Sequence, residues 1–293
     1  MKLLIIDPQV DFCMPGAALY VKGADEDMAR LSEFINKNAK EIESIDISLD
    51  MHEINSIFHP EFWLGTDLKH PSPFISISLD DVSSGKWKPA DIKDYTKSVD
   101  YLKTLEKNKS YPLTIWPPHC IAGISGSNIF PTLYTALKFW MNETGKSFTT
   151  HIKGMDRYSE HYGIFKSEGE DKYGVNHELI EKLFSKGESK EIYVSGEAKS
   201  HCVAMSLKQL MDVHPYVIPQ ITLLENTTSN VTGCEHIADE IYENLKKAGM
   251  KDLNVWSEIP AEGGDSEVTH GEFFGENLNR AKKVFFPKKM KNV

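Results

Sequence analysis

SGEAKSHCVAMSLKQLMDV, residues 195–213, follows the apolar run Ile192–Val194 and decides the fold. The apolar run predicts a buried strand, Gly196 and Ala198 predict a turn, and apolar residues at helical spacing predict a helix that begins at Cys202. A helix N-terminus stabilises a thiolate through its free N–H groups and its dipole, and the same N–H groups can hold an oxyanion. Cys202 is therefore a candidate nucleophile. The alternative is a small buried residue at the start of an ordinary helix.

The composition restricts the classes of partner. The 293 residues carry a net charge of −10 and suffice for one large α/β domain or for a domain with an insertion. Nucleic acids and anionic membranes bind basic faces, so we expect neither as a partner. No apolar run reaches the ~18 residues of a membrane span, and Met1–Ile6 is too short for a secretory signal. These features predict a cytoplasmic protein whose four cysteines are free thiols.

Two other predicted strands end in acidic residues. Leu3–Ile6 precedes Asp7, and Ile45–Leu49 precedes Asp50. Ligands of open α/β sheets gather at the carboxyl ends of the strands. Asp50 and His52 are two residues apart, so in extended backbone they project to the same side, which suits two ligands of one metal ion. For Asp7, a surface turn after a strand is the alternative.

Five short motifs lie at or near predicted strand ends. They are DPQVDF at 7–12, DMH at 50–52, WPPHC at 116–120, KG at 153–154 and GEAKSHC at 196–202. In this order they resemble the motifs of the isochorismatase-like cysteine hydrolases, and the presence of both a cysteine and metal-ligand motifs resembles the nicotinamidase branch. The resemblance covers residues 3 to about 257. It implies an α/β fold of three layers, αβα, around a central and mainly parallel sheet.

The resemblance implies a catalytic triad of Asp7, Lys153 and Cys202. Cys202 would attack an amide carbonyl, and the backbone N–H groups of Ala198 and Cys202 would hold the oxyanion, beside a cis peptide bond between Glu197 and Ala198. The chemistry of the residue types agrees, because an ammonium group and a helix start lower the pKa of a thiol and a carboxylate accepts its proton. Asp7 would then protonate the leaving ammonia, and water would cleave the thioester.

The resemblance also implies a metal site. Asp50, His52 and His119 would be ligands, and Glu61 fits the remaining ligand position best, with His59 as the competing candidate. A mixed set of carboxylate and imidazole donors suits zinc, manganese or iron. We expect one divalent ion, zinc in the first place, which in nicotinamidases holds the pyridine nitrogen.

The residues that would enclose the substrate ring are Phe12, Trp116 and Tyr162. The expected activity is hydrolysis of nicotinamide to nicotinic acid and ammonia, and the expected partner is a small-molecule amide. A homo-oligomer is compatible with the sequence. Two alternatives stay open: a related cysteine hydrolase that acts on another small amide or on a ureido compound, and a non-catalytic member of the fold.

Residues 64–111 depart from the family pattern, in which this connection is much shorter. Long structureless loops are uncommon in compact domains, so we predict a small folded insertion with a strand at Phe74–Leu79 and a helix at Asp91–Lys107. The insertion would cap or border the site, or make a subunit contact. The hydrolase domain is predicted to cover residues 1–258, and the polar, glycine-rich residues 259–293 are predicted to form a C-terminal extension.

Overall fold

Short runs of buried residues form the strands of this protein. The structure is a computed structural model and describes residues 1–169, 174–184 and 191–255. The strands are β1 Lys2–Ile6, β2 Ser44–Asp50, β3 Trp63–Gly65, β4 Trp87–Pro89, β5 Thr149–Lys153, β6 Ile192–Gly196, β7 Ile221–Leu224 and β8 Lys251–Leu253. β3 and β4 pair in antiparallel orientation, whereas the other six form one sheet in the order β5-β2-β1-β6-β7-β8. Every neighbouring pair in this sheet is parallel.

Helices cover both faces of the sheet. They are α1 Val10–Cys13, α2 Ala24–Lys37, α3 Leu79–Ser83, α4 Tyr95–Asn108, α5 Pro131–Thr144, α6 His177–Leu183, α7 Ala204–Val213 and α8 Asp239–Lys247. Alternate residues of β1 face opposite ways, as strand geometry requires. Leu3 and Ile5 pack in a core with α2 and α5, whereas Leu4 and Ile6 pack in a second core with α4, α6, α7 and α8. The predicted three-layer α/β fold is confirmed.

The order of the strands places a crevice beside β1. Within the sheet, β2 and β5 lie to one side of β1, and β6, β7 and β8 lie to its other side. Ligands of open α/β sheets bind at the carboxyl ends of the strands where the order reverses in this way. Asp7 follows β1, Lys153 ends β5 and Cys202 follows β6, so three distant segments of the chain reach the same edge.

Residues 64–111 contain secondary structure of their own, as predicted. Helix α4 and the short 3₁₀ turn before it agree with the predicted helix at Asp91–Lys107. The predicted strand at Phe74–Leu79 is reduced to an isolated antiparallel bridge between Ser76 and Thr114. Phe74 has a positive φ of 69°, and Ser78 caps α3, which begins at Leu79. The role of the insertion and the domain limits stay predictions, and the C-terminal extension 259–293 lies outside the described residues.

The start of the predicted helix at Cys202 also requires correction. One π-helical turn, Lys199–Val203, precedes α7, so Cys202 lies inside the first turn rather than at its beginning. Single π-helical turns are rare, and many of those that are found lie at functional sites. No described helix combines the length and the apolar composition that a membrane crossing requires.

Candidate active site

Lys153 brings the three residues of the predicted triad together. Its Nζ lies 2.9 Å from Asp7 Oδ2, 3.0 Å from Asp50 Oδ1 and 3.7 Å from Cys202 Sγ, and it donates a hydrogen bond of 2.7 Å to the carbonyl of His161. Burial lowers the pKa of Lys153, but the carboxylates of Asp50 and Asp7 raise it more, and the result lies well above the usual value. The side chain is therefore a charged ammonium that pairs with two buried carboxyl groups.

Asp7 is held firmly in its position after β1. Its φ of 44° lies in the left-handed region, which residues other than glycine rarely adopt. Ser48 on β2 donates to Asp7 Oδ1 at 2.6 Å and accepts from the Asp7 N–H at 3.0 Å. Burial raises the pKa of Asp7, Lys153 lowers it and Asp50 raises it, so that it stays above its usual value. A carboxyl group with a raised pKa is suited to accept and return a proton.

The environment of the Cys202 thiol differs from the sequence expectation in one respect. Burial raises the pKa of Cys202 well above its usual value; Lys153 lowers it, but Asp7 and Asp50 both raise it. The ammonium was expected to favour a thiolate, whereas two carboxylates oppose it here. One donor atom each of Asp7, Asp50 and Cys202 lie within 4.8 Å of one another. The sulfur therefore needs a base to become a nucleophile, and Asp7 lies beside it.

The turn between β6 and α7 contains the candidate oxyanion hole. The peptide bond between Glu197 and Ala198 is cis, in agreement with the prediction. Gly196 has a φ of 114°, and a Cβ atom there would collide with the backbone of Ile6 on β1, so only glycine fits this strand end. Ala198 and Cys202 both line the same cavity, as an oxyanion hole for a substrate in that cavity requires.

Asp50, His52 and His119 form a buried group in which one donor atom of each lies within 4.8 Å of the others. The Nδ1–H of His52 donates to the carbonyl of Gly154 at 3.0 Å. Its Nε2 is buried 3.1 Å from Asp50 Oδ2 and makes no hydrogen bond of good geometry with any described residue. Burial and the neighbouring His52 lower the pKa of His119 well below its usual value, so this imidazole is neutral. Burial lowers the pKa of His52, but the carboxylate of Asp50 raises it more, so that it lies above the usual value. Two anchored imidazoles beside a carboxylate form a donor set that fits a divalent metal ion.

His59 lies next to this group. Its Nε2 is 3.4 Å from Nδ1 of His119, and its ring centroid is 5.3 Å from that of His119 and 5.8 Å from that of His52. Its Nδ1–H points at the backbone carbonyls of Glu53 and Ile54, each at 3.2 Å, so its Nε2 carries the lone pair and faces Nδ1 of His119. Burial and the nearby His52 lower the pKa of His59 to about 4, which keeps the ring neutral.

Glu61 has a weaker position than His59. It lies in the 3₁₀ turn Pro60–Phe62, and one of its carboxylate oxygens is buried without a hydrogen-bond partner among the described residues. Neither Glu61 nor His59 belongs to the group of Asp50, His52 and His119 within 4.8 Å. The contact between His59 and His119 favours His59 as the additional ligand, and no described contact joins Glu61 to these residues.

A small cavity lies beside Cys202. All three predicted substrate-binding residues line it, and Nε1–H of Trp116 donates to the hydroxyl oxygen of Tyr162 at 3.2 Å. Phe12 lies on the side of the metal-ligand group, with its ring centroid 5.4 Å from that of His119. Mainly apolar and aromatic walls with a few polar groups are typical of small-molecule sites. The other apolar lining residues are Leu19, Val21, Ala198 and Val231.

Sequence reasoning missed the roles of three residues at this site. Glu160 and His201 also line the cavity, and burial raises the pKa of Glu160 to about 7. Gln9 fastens the end of β2, because its side-chain amide donates to the carbonyl of Asp50 at 2.6 Å and accepts from the N–H of Asp50 at 2.7 Å. Gln9 and His201 could have been identified from the sequence, because Gln9 belongs to the DPQVDF motif and His201 directly precedes Cys202. Glu160 lies in an irregular loop, where no periodicity indicates which side chains face inward.

Comparison with known proteins agrees with the fold. No protein-family model and no curated protein sequence matches the chain. Among solved structures, the yeast nicotinamidase has a TM-score of 0.60 and 16% identity, over 87% of this chain and 100% of that chain. A nicotinamidase/pyrazinamidase of Acinetobacter baumanii has a TM-score of 0.57 and 19% identity, over 87% and 95%. A protein of L. infantum solved with nicotinate has a TM-score of 0.51 and 21% identity, over 86% and 91%. The chain therefore shares its fold with these solved structures.

Proposed function

We propose that this protein is a nicotinamidase-type amidohydrolase with Asp7, Lys153 and Cys202 as its catalytic residues. One observation carries the proposal: the ammonium of Lys153 lies within 3.7 Å of the Cys202 sulfur and 2.9 Å of Asp7, beside a cavity with aromatic walls. A sulfur nucleophile, a base and a fixed positive charge in contact are the parts that amide hydrolysis through a thioester needs. Phe12, Trp116 and Tyr162 would enclose a flat heteroaromatic ring.

The proposed reaction follows from the geometry. Cys202 Sγ attacks the carboxamide carbon while the thiol proton passes to Asp7. The N–H groups of Ala198 and Cys202 hold the oxyanion, and Asp7 returns the proton to the departing nitrogen, which leaves as ammonia. Water then attacks the thioester, with Asp7 as the base, and releases the carboxylic acid and the thiol. Lys153 stays charged throughout and holds Asp7 against the sulfur.

The buried imidazole and carboxylate donors form the proposed metal site. Asp50, His52 and His119 would hold one divalent ion, with His59 rather than Glu61 as a further ligand because of its contact with His119. Bound there, the ion supplies a Lewis acid that fixes a ring nitrogen of the substrate. The donor set suits zinc, manganese or iron, and zinc is the first choice.

Ammonia release from nicotinamide, pyrazinamide and a set of ureido compounds tests the proposal. We expect release from nicotinamide, and we expect Cys202→Ala to lower kcat by at least about a thousandfold, because the nucleophile is lost. Cys234→Ala is the matched control, since Cys234 is only partly buried and lies outside the cavity. If ammonia is released only from ureido compounds, the substrate is a ureido compound and not nicotinamide. Equal activity in Cys202→Ala would reject the cysteine mechanism.

A further inference from the structure

A buried serine determines which nitrogen of His201 carries the proton. Ser200 Oγ lies 2.9 Å from Nδ1 of His201 and accepts a hydrogen bond of 3.1 Å from the N–H of Val231. Ser200 is fully buried, and no described residue other than His201 is placed to accept its hydroxyl hydrogen. A buried hydroxyl hydrogen without an acceptor is costly, so the hydroxyl donates to Nδ1. In the neutral ring, the hydrogen then lies on Nε2.

The surroundings of His201 keep its ring neutral. Burial lowers the pKa of His201 to about 4, and no nearby charged group contributes to this shift. The ring packs against three aromatic side chains, with centroid distances of 5.3 Å to Trp116, 5.5 Å to Tyr162 and 5.6 Å to Tyr111. His201 is thus an uncharged hydrogen-bond donor surrounded by aromatic side chains. It belongs neither to the charged residues around Lys153 nor to the imidazoles of the metal-ligand group.

The donor on His201 is available to a ligand. His201 lines the cavity beside Cys202, and its Nε2 makes no hydrogen bond with any residue that the structure describes. The neighbouring donor, Nε1–H of Trp116, is already used by the hydroxyl oxygen of Tyr162. Tyr111, at the end of the insertion, donates to the carbonyl of Ser200 at 3.2 Å and so supports the turn that carries His201.

We infer that His201 is a specificity-determining residue whose Nε2–H donates a hydrogen bond to an acceptor on the substrate ring. This acceptor is distinct from the carboxamide oxygen, which the turn of Ala198 and Cys202 would hold, and from the ring nitrogen assigned to the metal-ligand group. The inference rests on the proposed function and narrows it. The favoured substrates are heteroaromatic carboxamides with a second acceptor in the ring. Nicotinamide, with one ring nitrogen, leaves the donor of His201 unpaired.

A set of isomeric amides tests this inference. Pyrazine-2-carboxamide, pyrimidine-5-carboxamide and pyridazine-4-carboxamide all keep the ring nitrogen of nicotinamide and add a second one at a different position. For each, kcat/KM relative to nicotinamide is measured in the wild type, His201→Phe and His201→Gln. We expect this ratio to fall roughly tenfold in His201→Phe for at least one isomer, because the second ring nitrogen then loses its hydrogen-bond donor. His201→Gln keeps an N–H donor and should restore part of the ratio.

The ratio separates specificity from general damage, since both substrates of a pair need the same nucleophile and the same folded protein. An unchanged ratio for all three isomers in His201→Phe, with nicotinamide still hydrolysed, would overturn the role of His201 and leave the proposed function intact. Dissociation constants of the same amides, measured with Cys202→Ala and with the double variant that adds His201→Phe, give a readout without turnover. Selective binding that depends on His201, in a protein that hydrolyses none of these amides, would reject the proposed function alone. Binding without such selectivity would overturn the inference.

The tautomer provides a second, independent readout. Long-range nitrogen–proton spectra of the imidazole should show the hydrogen of His201 on Nε2 in the wild type. In Ser200→Ala, we expect a mixture of tautomers and a smaller selectivity ratio, because the hydroxyl that fixes Nδ1 as an acceptor is missing. A hydrogen on Nδ1 in the wild type would overturn the inference.

Discussion

The residues around Lys153 can be buried only as a set. An ammonium or a carboxylate that leaves water loses several kcal/mol of hydration, and a partner of opposite charge must replace it. Lys153 supplies that partner to Asp7 at 2.9 Å and to Asp50 at 3.0 Å, and His52 supplies a second partner to Asp50. The same ammonium thus stabilises the fold and orients the proposed base, so stability and activity can be separated only by changing two residues together.

Substitution of Lys153 by methionine tests this coupling. Lys153→Met keeps most of the side-chain volume but leaves Asp7 without a counter-charge, and we expect the free energy of unfolding to fall by about 3–5 kcal/mol. Adding Asp7→Asn removes the unpaired charge and should restore much of that loss, while ammonia release stays abolished in both variants. Urea unfolding of the wild type, both single variants and the double variant measures the coupling. Additive effects on stability would show that Asp7 and Lys153 do not interact in this way.

At the scale of elements, the connection after β5 shapes the metal-ligand group. Gly154 has a φ of 81°, and a Cβ atom there would press against the His52 ring and the Asp50 carboxylate. Its carbonyl also accepts the Nδ1–H of His52, which fixes the orientation of that ring. The KG motif therefore needs glycine for a steric reason, because the backbone passes closer to two proposed ligands than a side chain would permit.

Gly154→Ala should therefore weaken metal binding. We expect at least a tenfold loss in affinity for zinc, because the methyl group displaces His52 and Asp50. The control is Gly145→Ala at the end of α5, where φ is 70° but a Cβ atom meets nothing within 4 Å. Both variants carry the strain of a left-handed alanine, so only Gly154→Ala combines that strain with displaced ligands. Zinc affinity by competition with a chelating dye measures the difference, and equal affinities in the two variants would contradict the prediction.

The sequence predicted the elements better than the contacts between them. Asp7, Asp50 and Lys153 were predictable because buried parallel strands are short apolar runs that end in a polar residue, and such ends converge at one edge of the sheet. The tautomer of His201 depends on Val231, which is distant in sequence. The choice between His59 and Glu61 depends on an irregular turn that has no period. The raised pKa of Cys202 was not predictable, because the sequence shows neither the burial of the thiol nor the two carboxylates beside it.

At the scale of the whole molecule, folding buries several glutamates that bind protons more tightly than in the unfolded chain. Burial raises the pKa of Glu160 and of Glu168 from 4.5 to about 7, and it raises the pKa of Glu197 well above its usual value. For such groups, the contribution to stability is fully present below the unfolded pKa and is lost as the pH rises through the folded pKa. The net charge of −10 adds self-repulsion in the same direction. These glutamates therefore contribute stability that is lost between about pH 4.5 and 7, whereas His59 and His201, whose pKa values burial lowers to about 4, contribute in the opposite direction over much of this range.

Glu168→Gln isolates one of these groups away from the metal-ligand residues. Glu168 is buried, and its Oε1 has no hydrogen-bond partner among the described residues. At pH 5 its carboxyl is mostly protonated in the folded protein, so wild type and variant should have similar free energies of unfolding. At pH 8 the wild type buries a charge that glutamine lacks, and the variant should be more stable by up to about 3 kcal/mol. Urea unfolding at the two pH values measures the change, with Glu143→Gln on the exposed face of α5 as the control. A difference between Glu168→Gln and wild type that does not vary with pH would mean that folding leaves the proton affinity of Glu168 unaltered.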